Sequence, residues 1–137
     1  MSPLDIFHRM YDNDPFSRWL GIELVQVGAG TCTLRMQVRG EMLNGFGVAH
    51  GGITFSLADS AFAFASNSRG QHALSVHCGV QHTAPVREGD TLTATAEEDH
   101  LGAKLANYSV RVENQRGETV ALFEGMVYRK SQAWEEQ

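Results

Sequence analysis

The sequence predicts an α+β fold in which a curved antiparallel β-sheet wraps around one central helix. Three observations carry this expectation. The run from Ile53 to Ala65 is apolar around nearly its whole circumference, and such a helix is buried rather than laid on a surface. The segments on either side alternate apolar and polar residues, the period of strands with one covered face. Turn-forming clusters separate those segments at short intervals, which predicts antiparallel meander connections. One helix stays dry against a half-solvated sheet only if the sheet curls round it.

"SPLDIFHRMYDND" sets Leu4, Phe7, Met10 and Tyr11 at helical spacing, with Ser2 as N-cap and Pro3 at the first helical position. "DPFSRWLG" reads as a turn or a short second helical piece, so residues 1–20 form an N-terminal helical segment. "IELVQVGAGTCTLRMQV" alternates on both sides of "GAG", through Ile22, Leu24 and Val27 and then Cys32, Leu34, Met36 and Val38, as two strands around a glycine turn do. "RGEMLNGFGVAHGG" has little periodicity and reads as a loop, and the helix runs from Gly52 to about Ser68. Beyond it "ALSVHCGVQHTA", "TLTATAEEDH", "LANYSVRVEN" and "TVALFEGMVYRK" are β-like, separated by "PVREGD", "LGAK" and "QRGE". The expected architecture is two strands, one buried helix and three long strands in a single domain over residues 1–137. The polar end "SQAWEEQ", 131–137, is expected to fray.

The chain has 137 residues, 42% hydrophobic and 20% charged, which is enough to bury a core. A net charge of −5 and the lack of a basic stripe argue against a nucleic-acid partner. The longest apolar run is too short to cross a membrane, and the N-terminus has no export pattern, so a cytoplasmic protein is expected. Cys32 and Cys78 are isolated and read as small buried hydrophobes. His8, His72, His77, His82 and His100 lack metal-ligand spacing, so no metal is expected, and no GxSxG stretch points to a serine hydrolase.

Asp59 is the anomaly, a carboxylate between "FSLA" and "SAFAFA". It lies too deep in the helix to be a cap. It is either a structural carboxylate bonded to a neighbouring loop, or a general base or nucleophile at a cleft. Gly51 and Gly52 serve a tight loop-to-helix turn, and a backbone N–H there also suits a developing oxyanion. Asn44 before Gly45 fits turn chemistry, His50 fits a helix cap, and Ser75 is an ordinary strand serine.

"MLNG", "HGG", "FSLADSAFAFASNS", "GDTLTATA" and "VALFEGMVYR", in this order, resemble the hotdog-fold acyl-CoA thioesterases, most of all their phenylacetate-degradation branch. The resemblance covers nearly the whole chain. It implies that Asp59 attacks the thioester or activates a water, and that Gly51 donates to the oxyanion, with Gly52 the near alternative. It implies that Asn44 positions water or the carboxylate and that the Ser75 hydroxyl faces the site. His50 is a further candidate near the thioester. It also implies a homodimer with a shared sheet, usually paired into a tetramer, in which Asn44 and Gly51 of one subunit face Asp59 and Ser75 of the other.

The implied reaction releases coenzyme A and a carboxylate from an arylacetyl thioester and needs no cofactor, coenzyme A being part of the substrate. Its role would be to free coenzyme A from stalled intermediates. Arg69, Lys104, Arg129 and Lys130 are the candidate cations for the coenzyme phosphates. Phe46, Phe62, Phe64 and Trp19 line an aromatic pocket or belong to the core; Phe62 and Phe64 point too far apart for both to touch substrate. Two rivals stand beside this reading. A dehydratase or hydratase on the same fold would use a His with a carboxylate, but Asp59 lies nine positions after His50, deep in the helix. A non-catalytic acyl-CoA sensor would bring a DNA-binding segment, for which 137 residues leave no room.

Overall fold

The computed structural model describes residues 1–135. Helices α1 (Pro3–Tyr11) and α2 (Pro15–Leu20) precede strands β1 (Glu23–Gly28) and β2 (Thr31–Gln37). A loop containing a short 3-10 turn (Gly40–Met42) leads into α3 (Gly51–Asn67), and β3 (Gln71–His82), β4 (Thr91–Leu101), β5 (Leu105–Glu113) and β6 (Thr119–Ala133) follow. The caps are local. Ser2 Oγ accepts the Asp5 N–H while the Asp5 carboxylate accepts the Ser2 N–H, and those bonds hold the Asp5 carboxyl below its ordinary pKa. Asp14 caps α2, and Gly21 ends it at φ +76°.

The six strands form one antiparallel sheet in the order β1-β2-β4-β5-β6-β3. Four strands follow α3, not three: every β-like stretch after the helix is a strand. The meander holds for β4, β5 and β6, but β3 pairs with β6 at the far edge rather than with β4. The chain leaves α3 on that edge and crosses back to place β4 beside β2. Sequence alternation reports which face a residue takes, not which strand lies next to it.

α3 lies on the concave face of the sheet. Phe62 packs against Tyr108 of β5 and Phe123 of β6, with centroids 5.8 and 5.5 Å apart, and Phe64 meets Phe7 of α1 at 4.7 Å. The sheet yields space to the helix: a Cβ on Gly125 would sit 2.6 Å from the Phe62 ring. Leu57, Ala58, Ala61 and Ala65 are fully buried, in one core with Leu34, Leu92, Ala94 and Ala96.

The C-terminal end is placed against the fold where it is described. Residues 131–133 continue β6, the Trp134 N–H bonds Gly70 O at 2.9 Å, and the Trp134 indole donates to Asn67 Oδ1 at 3.0 Å while lying 4.1 Å from the His72 ring. The final two residues of the expected tail, 136 and 137, lie outside the described residues. No helix of the described residues is long and apolar enough to cross a membrane.

Candidate active site

Asp59 lies midway along α3, half-buried, on the side of the helix that faces edge strand β3. Its one polar side-chain contact among the described residues is the Cys78 thiol, 4.0 Å from Oδ1. A structural carboxylate accepts hydrogen bonds from backbone or amide N–H groups; Asp59 has none. Burial raises its pKa above the ordinary 3.8, and the negative charge of Asp14 raises it further.

Ser75 joins the same group. Its hydroxyl lies 3.0 Å from Cys78 Sγ. Strict alternation would put residues 75 and 78 on opposite faces, but a bulge between Ser75 and His77 shifts the phase and brings Ser75 beside Cys78, which in turn lies against Asp59. Cys78 is therefore not the buried hydrophobe expected of it. Cys32 is: it is fully buried, and desolvation pushes its thiol up to about 12.

The second group gathers at the start of α3. His50 is the N-cap: its Nδ1 accepts the Gly52 N–H at 2.9 Å, which fixes the neutral-ring proton on Nε2. That bond consumes the Gly52 donor. The Gly51 N–H has no partner among the described residues and points out of the positive end of a long helix. A Cβ on Gly51 would lie 3.0 Å from His82 Nε2, so a side chain here would crowd the approach to that N–H. Asn44 is turn chemistry, with Oδ1 accepting the N–H groups of Phe46 (2.9 Å) and Val48 (3.4 Å). Its amide NH2 remains free to donate among the described residues.

Two clefts flank the helix start. One, of about 420 Å³, is lined by Gly51, Thr54, His82, Thr83 and Pro85. The other, of about 400 Å³, is lined by Phe16, Trp19, Leu43, His50, Gly52, Ile53 and Ser56.

The structure sorts the other candidates. Arg69 is exposed and makes a bidentate pair with Glu98 (2.8 and 3.1 Å), and Glu98 also accepts the Tyr108 hydroxyl, so the Arg69 charge already has a partner at the surface. Arg129 is half committed, donating to Gly102 O at 2.8 Å. Lys104 and Lys130 are exposed, and the Arg129 N–H donates to Lys104 O, tying β6 to the β4–β5 turn. Phe62 and Phe64 are core, 1% and 2% exposed, so neither faces a cleft. Phe46 projects from its loop at 93% exposure. Alternation of the helix sequence alone did not reveal Phe16 or Cys78; the bulge and the docking of α2 bring them in. Among the described residues no cluster of three His, Cys, Asp or Glu could hold a metal.

Comparison with known proteins identifies the family. Residues 46–121 match the family described as the thioesterase superfamily. The chain is 43% identical over 122 residues to the acyl-coenzyme A thioesterase PaaI of Escherichia coli, covering 89% of this chain and 87% of that protein. The solved structure of the E. coli PaaI protein from the phenylacetic acid degradation operon superposes with a TM-score of 0.93 at 40% identity, covering 96% of this chain and 95% of that one. A mutant form of the phenylacetic acid degradation protein PaaI from Thermus thermophilus gives 0.83 at 39% identity, covering 85% of this chain and 100% of that one. The chain therefore belongs to the thioesterase superfamily, among its hotdog-fold, PaaI-type acyl-CoA thioesterases.

Proposed function

We propose that the enzyme hydrolyses arylacetyl-CoA thioesters in the cytoplasm, as a homodimer with composite sites that pairs into a tetramer. The observation that carries the chemistry is Asp59, a half-buried carboxylate with no hydrogen-bonded partner but a thiol. Such a group is basic and free to react. It attacks the thioester carbonyl or takes a proton from the water that does. The C–S bond then breaks and the coenzyme A sulfur leaves: along the water route it takes the proton that Asp59 accepted, and along the direct route it takes a proton from the water that then hydrolyses the acyl–Asp59 anhydride. The Gly51 N–H, at the helix start, stabilises the oxygen that gains charge. Asn44, through its free amide, positions the water or the carboxylate, and the Ser75 hydroxyl lies on the Asp59 side of the reacting group. No further cofactor is required by this route. The dehydratase reading is less suited to this site, because His50 is engaged as the N-cap of α3, its Nδ1 accepting the Gly52 N–H.

Helix geometry supports the composite site. Gly51 and Asp59 are eight residues apart, about 12 Å along the axis. Reacting atoms must approach to about 3–3.5 Å. One thioester held by Gly51 is therefore out of reach of Asp59 in the same chain, and a second subunit supplies the missing carboxylate. β3 is the element suited to join the subunits: it is an unpaired edge carrying exposed Leu74 and Val76, a surface that proteins cover. Lys104 and Lys130, with the partly engaged Arg129, are the cations assigned to the coenzyme phosphates.

Thiol release measured over phenylacetyl-, hydroxyphenylacetyl-, hexanoyl- and acetyl-CoA tests this reading. The expected result is the highest kcat/KM for the aryl substrates. Hexanoyl above phenylacetyl removes the aryl assignment, and no thiol release from any of them removes the function.

A further inference from the structure

We propose that Phe16 and Trp19 of α2 form the wall that receives the aromatic end of the acyl group, and that they set the preference for aryl over straight-chain acyl-CoA. This rests on the thioesterase reading above. The phenylalanines nearest Asp59 in sequence cannot supply ring contacts, because Phe62 and Phe64 are taken up by the core. Phe16 and Trp19 remain 52% and 45% exposed, stacked with centroids 6.0 Å apart, on the apolar cleft beside His50, Gly52, Ile53 and Ser56. A cleft of about 400 Å³ is in the range of small-ligand sites. The cleft begins at His50 and Gly52, beside the Gly51 N–H that this chain gives to the composite site, so an acyl group seated in it lies next to its own carbonyl. The cleft on the other side of Gly51, with His82 and two threonines, is more polar and suits the coenzyme arm.

The wall is held in advance of any ligand. Arg39 lies 4.9 Å over the Trp19 ring and donates to Trp19 O at 2.8 Å and Leu20 O at 3.0 Å. Ser17 shares a 2.9 Å buried hydroxyl contact with Ser60, the residue after Asp59, and donates to Asp14 at 2.6 Å. Two rings fixed in place lose little entropy when a third ring stacks on them.

The test uses the full-length enzyme with Phe16→Leu and Trp19→Leu, which keep apolar bulk and remove the ring; thermal unfolding checks that each folds. The measured quantity is the ratio of kcat/KM for phenylacetyl-CoA to that for hexanoyl-CoA. Each variant is expected to lower the ratio by about two- to twelvefold, the worth of one aromatic contact. Phe46→Leu, on a ring outside both clefts, is expected to leave the ratio unchanged. An unchanged ratio in both α2 variants overturns the proposal, and so does an equal loss with both substrates. A change of mass in solution with the ratio intact also overturns it, by making this face a contact between copies. If the wild type releases no thiol from any acyl-CoA, it is the thioesterase reading that fails.

Discussion

The C-terminal end of α3 and the carboxylate at its middle treat polar side chains in opposite ways. In the second half and its cap, Ser66, Asn67 and Ser68 are at most 5% exposed, and each is bonded. Asn67 donates to Ala63 O and Ala73 O and accepts from Ala73 N and the Trp134 indole. Ser68 donates to Ala65 O and accepts the Gly30 N–H at 2.8 Å. At the middle Asp59 is less buried and has only a thiol at 4.0 Å. Asp90, at the start of β4, repeats the contrast among carboxylates. It is 6% exposed, accepts Arg87 N–H and the Gln115 amide, and is held below its ordinary pKa chiefly by the Arg87 bond, whereas burial raises Asp59. Burial does not separate structure from chemistry here; partners do. A satisfied polar group holds the fold, and an unsatisfied one is available to react.

The comparison breaks first at Asp59→Asn. Turnover in thiol release is expected to fall by at least about a hundredfold while the protein stays folded. The same substitution is expected to raise Tm at pH 7. A raised carboxylate costs nothing below the ordinary 3.8, where both states are protonated; as pH climbs the unfolded chain releases its proton first, and stability falls until the folded value is passed. The gain in Tm should therefore vanish in acid. Mixing Asp59→Asn with Asn44→Ala subunits, with exchange confirmed by mass, sharpens the picture. Neither parent works, yet random heterodimers restore about a quarter of the sites if each site draws on two subunits. Persistent inactivity after exchange would contradict the composite site.

In the second half of the helix, Asn67→Ala is expected to cost about 1–3 kcal/mol in denaturant unfolding by stranding the Ala73 backbone, with kcat nearly unchanged. Asp90→Asn should lower Tm at pH 7 and leave turnover intact. The Asp90 contribution stands above 3.8 and is lost as pH falls through its lower folded value, so its deficit shrinks in acid, the reverse of the direction at Asp59.

Much of this was legible in the residues. All-round apolarity marked α3, alternation marked each strand, and Ser2 and Pro3 marked the first helix, because each signal is local. Asp59 was legible as an anomaly for the same reason. Its meaning was not, since the absence of a partner is a fact about distant chain. The partners of Asn67 and Ser68 lie at Trp134 and Gly30. The place of β3 at the far edge, the alignment of Cys78 with Ser75 across a bulge, and the pairing of Arg69 with Glu98 are likewise tertiary. For Phe62 and Phe64 the sequence leaves pocket and core both open, because helical spacing gives direction without saying what lies in that direction.

If the carboxylate left without partners among the described residues, Asp59, does the chemistry proposed for it, the pH dependence of kcat/KM carries its signature. This profile reports the acid limb of the essential base in the free enzyme. The account predicts a limb displaced above 3.8, the ordinary carboxylate value, and unmoved in Asp90→Asn. A limb at or below 3.8, or one that shifts when Asp90 is neutralised, contradicts it.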